Sequence, residues 1–93
     1  MHLINLVRPE DILPDGVEGV TIKGKDIRKG TIAAFLANVE LLEQQNLTSQ
    51  QRQSAVDVMK ELAPGVVAIG LHHHVVFKNP IVEQILIDAK RMA

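Results

Sequence analysis

The chain contains no cysteine, tryptophan or tyrosine, and only two phenylalanines, Phe35 and Phe77, among its 93 residues. Without cysteine there is no disulfide framework, thiolate metal site or cysteine nucleophile, and the redox compartment stays open. Without Trp and Tyr the chain lacks the side chains that most often anchor interfaces, enclose cations or stack on unpaired bases. An excess of one charge is missing too. Ten Lys and Arg stand against eleven Asp and Glu, a formal net charge of −1, so no overall field draws the protein to nucleic acid or to an anionic membrane. No apolar run reaches the length of about 18 residues that spans a bilayer, and Met1–Arg8 carries no secretory leader, so a cytoplasmic, non-membrane protein is expected.

What is present is aliphatic. Hydrophobic residues make up 46% of the chain, so its core must be assembled from Leu, Ile, Val, Ala and Met. The length suits one domain spanning 1–93, with an extended leader and hairpin over 1–30 and a helical part over 31–93. Pro9 stops the apolar run Leu3–Val7, and Pro14-Asp15-Gly16 is a turn signature, so residues 9–16 read as extended. Val20–Lys23 and Asp26–Lys29 read as two short strands. Gly24-Lys25 between them suits a type II′ turn that sets Lys23 opposite Asp26 and Ile22 opposite Ile27.

Ile32, Phe35, Leu36, Val39 and Leu42 recur at helical spacing, predicting a helix over 31–46. Asn46 in a left-handed conformation would end it, with Leu47 folding back on Leu42. Thr48 and Gln51 form a capping box for a second helix, whose Ala55, Val58, Met59 and Leu62 share a face. Pro64-Gly65 should break or kink that helix before a further turn stops at Gly70. His72-His73-His74 and a β-prone Val75–Phe77 follow. Asn79-Pro80 then starts a last helix with Ile81, Val82, Ile85, Leu86, Ala89 and Met92 in one stripe.

The expected fold is α+β: a short N-terminal β-hairpin, extended by Leu3–Val7 or Val75–Phe77, packed on three amphipathic helices. An all-α bundle with an irregular N-terminal arm is the alternative. The predicted core comprises Ile22, Ile27, Ile32, Phe35, Leu36, Val39, Leu42, Val58, Met59, Leu62, Val66, Ile69, Phe77, Ile81, Ile85 and Leu86.

Three features bear on function. Lys23, Lys25, Arg28 and Lys29 lead into Gly30-Thr31 at a helix start, an arrangement suited to an anion such as a phosphorylated ligand, although its spacing is not that of a P-loop. His72 and His74 on one strand face, completed by His2 or a carboxylate, could hold a metal, or the histidines could act as a protonation switch. Otherwise they interact with the end of the preceding helix dipole. A helix-turn-helix reading of 31–63 offers Gln50, Gln51, Arg52 and Gln53 to bases, but only Arg52 and Lys60 in that helix could meet phosphates, which disfavours nucleic acid. Ser49, Ser54, Glu40 and Glu43 have no catalytic context, so the reading leans away from an enzyme, and no cofactor is implied.

The leading expectation is therefore a non-catalytic protein-interaction module, a homodimer or an adaptor. Its first and last helices are apolar around more than half their circumference, and Leu41, Ile81, Val82, Ile85, Ile87 and Met92 are candidates to face a partner.

Overall fold

A computed structural model describes residues 7–92. The elements run in the order α1 (Pro9–Ile12), β1 (Gly19–Ile22), β2 (Lys25–Arg28), α2 (Thr31–Leu42), α3 (Ser49–Ile69) and α4 (Pro80–Met92), with a 3-10 turn at Leu71–His73 between the last two. The fold is a two-stranded antiparallel hairpin followed by three main helices. The all-α alternative is thereby excluded. The predicted additions to the sheet do not materialise as far as they can be followed: residues 75–77 form no strand, and residues 3–6 lie outside the described part.

The hairpin forms with a different turn from the one expected. Val20 lies opposite Ile27, Thr21 opposite Asp26 and Ile22 opposite Lys25, which leaves Lys23-Gly24 as the loop. Both loop residues have positive φ, +50° at Lys23 and +78° at Gly24, as a type I′ turn requires, and its twist matches that of the flanking strands. Moving the loop by one residue changes the partners without changing the faces, so Val20, Ile22 and Ile27 share a side in either register. Alternation therefore could not distinguish the two. Pairing chemistry favours the observed turn: Thr21 Oγ1 donates to Asp26 Oδ1 at 2.9 Å, and Lys29 N–H donates to Glu18 O at 2.6 Å beyond the strand ends.

Several local expectations need correction. Residues 9–12 form one helical turn instead of an extended segment, because Pro9 fits the first helical position and Asp11 Oδ2 accepts from Arg8 N–H at 2.9 Å. Helix α2 ends at Leu42, four residues early, and Asn46 does not adopt a left-handed φ. No such cap is needed there, since the Arg52 guanidinium donates to Leu42 O at 3.1 Å and the N–H groups of Glu43 and Gln44 serve the carbonyls just before it.

The predicted capping box at α3 is present, with Gln51 N–H donating to Thr48 Oγ1 and Thr48 N–H donating to Gln51 Oε1, both at 3.0 Å. Helix α3 then runs unbroken through Pro64 for 21 residues. Pro64 and Lys60 are exposed while Ala63 and Val66 are buried. The donor lost at Pro64 thus lies on the solvent side, and burial on the opposite face offsets a propensity cost of about 3 kcal/mol. Gly70 ends the helix as expected, at φ +94° with its N–H donating to Val66 O and Val67 O. Asn79 caps α4 by accepting from the N–H groups of Ile81 and Val82 at 2.9 and 3.4 Å.

The core lies where all three long helices meet. Phe35 and Leu42 come from α2, Met59, Ala63 and Val66 from α3, and Val82, Ile85 and Leu86 from α4. Phe77 adds an edge-on contact to Phe35, with ring centroids 5.8 Å apart. Each large, fully buried side chain contributes about 1.5–3 kcal/mol by leaving water. Four predicted core residues are instead exposed, among them Ile81 at 47% and Leu36 at 44%, together with Val58 and Ile69. Their places are taken by small residues, Ala55, Ala63 and Ala68, and by Val82. Hydropathy alone therefore does not decide which apolar residues face inward, because side-chain size must also match the space between packed helices.

The hairpin is seated on α3 by one side chain. Ile27 is buried, at 6% exposure, and it lies over Gly65. A Cβ at Gly65 would meet Ile27 Cδ1 at 3.3 Å and Thr31 Cγ2 at 3.4 Å, so the missing side chain makes room for β2 and the start of α2. Gly65→Leu should therefore cost about 1–3 kcal/mol by overpacking and raise amide exchange over residues 19–28 before the helices. Met59→Ala should instead destabilise the whole fold by about 2–5 kcal/mol, read as a lower urea midpoint with an unchanged slope, with Leu36→Ala as the mild control.

Candidate interaction surfaces

The basic cluster read from the sequence is divided in space. Lys23 and Lys25 sit at the hairpin turn, whereas Arg28, Lys29, Gly30 and Thr31 lie at the other end of β2, about 10 Å from Lys25 to Arg28 for three steps along an extended strand. The two halves belong to different concavities. Lys25 lines a cavity of about 460 Å³ with residues of α3 and α4, while Arg28–Thr31 line a separate groove of about 620 Å³. At the start of α2, Gly30 (φ +84°) supplies no side-chain cap, and Thr31 Oγ1 donates back to Arg28 O at 2.6 Å.

The larger groove is aliphatic. Its walls are Ile12 and Leu13 from the α1 turn, Val20, Ile22 and Ile27 from the hairpin, Ile32 and Ala33 from α2, and Ile69 from the end of α3. Ile12 and Ile69 are 52% and 39% exposed, and no acidic residue lines the groove. Hydropathy had assigned Ile22, Ile27, Ile32 and Ile69 to the core. In the structure only Ile27 is fully buried, because the hairpin covers the ends of α2 and α3 incompletely. Ile12 and Leu13 had no assigned role. An apolar pair enclosed by Pro9 and Pro14 in an otherwise polar segment was the signal available for them.

His72 and His73 stand in a 3-10 turn that His74 caps, and none of the three is on a strand, so the alternating geometry expected for His72 and His74 does not arise. The His72 and His73 rings are tilted against each other with centroids 4.1 Å apart, and His74 stands edge-on to His73 at 6.4 Å. His2 lies outside the described residues. Among the described residues no group of three or more His, Cys, Asp or Glu side chains could hold a metal ion. The Nδ1 of His72 is buried without a hydrogen-bond partner. Burial holds the His72 pKa below its ordinary 6.5, and the positive charges of His73, Lys90 and Lys23 add to the effect against the opposing pull of Glu83.

The residues suggested for base contacts have structural occupations. Gln51 completes the capping box, Arg52 holds the end of α2, and Gln53 Nε2 donates to Asp57 Oδ1 at 2.8 Å, which leaves Gln50 alone of the four without such a bond. The candidate partner-facing residues are also separated by the fold. Val82 and Ile85 belong to the chain's own core, Leu41 is half-buried, and Ile81, Ile87 and Met92 remain exposed. Among the described residues no helix is long and apolar enough to cross a membrane. Comparison with known proteins finds no matching family model, curated protein or solved structure.

The lowered His72 pKa makes stability depend on pH with a definite sign. The unfolded chain takes up a proton near the ordinary value of 6.5 while the folded chain resists it, so this contribution is present above that value and is lost as the pH falls below it. Between about pH 8 and about pH 5.5, His72→Leu should therefore lose less of its urea midpoint than the parent protein. An equal loss in both would refute the assignment.

Proposed function

We propose that this chain is a non-catalytic interaction module that pairs with a second copy of itself, working in the cytoplasm. The aliphatic groove between hairpin, α1, α2 and α3 is the observation that carries the reading. A concavity of about 620 Å³ walled mainly by Ile, Leu, Val and Ala, with Arg28–Thr31 along one side, is costly to leave in water, and covering it returns about 25 cal/mol for each Å² of apolar surface removed. Two further features favour a second copy as its cover. The hairpin is a two-stranded sheet whose outer edges have no strand partner among the described residues, so it can extend by pairing edge to edge. A self-complementary contact across a twofold axis also uses one patch twice, so this one groove can serve both copies. The cytoplasmic placement belongs to the same proposal.

Sedimentation equilibrium across about 10–100 µM should resolve a monomer–dimer equilibrium, the range in which a modest interface assembles. Ile12→Glu and Ile69→Glu, at positions already accessible in the single chain, should give folded monomers. A parent protein that is strictly monomeric throughout that range would end the proposal.

A further inference from the structure

The cavity beside the hairpin turn has a different character from the groove. Its floor is apolar and fixed, because Ala63 and Ile85 belong to the helical core and are nearly inaccessible, while Pro64 and Ala89 extend it outwards. Met92, 87% exposed, forms an unbranched wall that can adapt to a guest. Over this floor stand two cations from different elements, Lys25 of β2 and Lys60 of α3. Among the described residues neither ammonium is held by a carboxylate or donates a side-chain hydrogen bond. The one acid on the rim, Asp88, has Oδ1 occupied by Gln84 Nε2 at 2.8 Å.

We infer that this cavity binds a free aliphatic monocarboxylate, with the hydrocarbon chain on Ala63, Ile85 and Met92 and the carboxylate between Lys25 and Lys60. The chemistry argues against other anions. A phosphate or a nucleotide is polar on every side and would leave the apolar floor unmatched, whereas a neutral hydrocarbon would leave both lysines of the rim without a counter-charge. Two ammoniums against one carboxylate leave the rim with a single net positive charge, which matches one negative charge better than two. A volume of about 460 Å³ lies within the ordinary range of small-molecule sites and suits a chain of about ten carbons. The site is spatially distinct from the surface proposed for self-association, since none of these residues lines the aliphatic groove.

Calorimetric titration of the intact protein with sodium decanoate should show saturable binding at one site per chain. Decanol, of the same length without the charge, and inorganic phosphate, a charge without the chain, should each bind at least about tenfold more weakly. Charge reversal at both lysines, Lys25→Glu with Lys60→Glu, changes solvent-facing positions and should weaken decanoate binding by at least about tenfold while leaving the urea midpoint near that of the parent. The methyl resonance of Met92 should shift on titration in the parent protein and stay in place in the double variant. No saturable heat with decanoate, equal binding of decanol, or undiminished binding in the double variant would each overturn the assignment. Binding to vesicles containing anionic phospholipid with none to free decanoate would overturn it too, by showing a surface in place of a cavity.

Discussion

The seating of Ile27 over Gly65 is the contact on which both concavities depend. The helices form their own dry interior around Phe35, Met59, Val66, Val82 and Leu86, and the hairpin contributes no side chain to that cluster. It is held to α3 chiefly by one buried isoleucine, received where a helix position lacks a Cβ. From that point one end of β2 carries Lys25 out over α3 and α4, and the other carries Arg28 and Lys29 past the start of α2. A single packing contact thus sets the walls of the cavity on one side and of the groove on the other.

This economy has a dynamic consequence. A two-stranded hairpin is marginal alone, and burying one isoleucine stabilises its docking by only about 1.5–3 kcal/mol. Opening of the hairpin away from α3 is therefore less costly than unfolding the helices, whose fully buried side chains come from all three. Anything that bridges Lys25 to Lys60, or covers the groove from outside, draws on the same docking equilibrium. The two surfaces are distinct in chemistry but share this energetic support.

The candidate sites were less legible than the fold. The basic residues near the hairpin were conspicuous in the sequence, yet adjacency along a strand is not proximity in space, and the two ends of β2 face different neighbours. Asp88 carried no signal and Lys60 stood out only as a basic residue of the second helix, because each is an ordinary polar residue on the outer side of a helix until a second element is placed beside it. The groove was hidden for the opposite reason: Ile22, Ile32 and Ile69 have the hydropathy of core residues, and only incomplete coverage by the hairpin shows that they are not fully buried.

What the sequence determined by itself were features whose physics is local. The capping box at Thr48 and Gln51, the glycine stop at Gly70, the Asn79-Pro80 start and the three helical stretches each depend on residues within one or two turns of one another. Only the tertiary structure decided the rest. Whether Pro64 interrupts a helix depends on which face is buried; whether α2 ends at Leu42 or Asn46 depends on Arg52, ten residues away; and whether an alanine or a larger neighbour faces inward depends on how closely two helices approach. These outcomes rest on distances between segments remote along the chain, which a residue pattern does not contain.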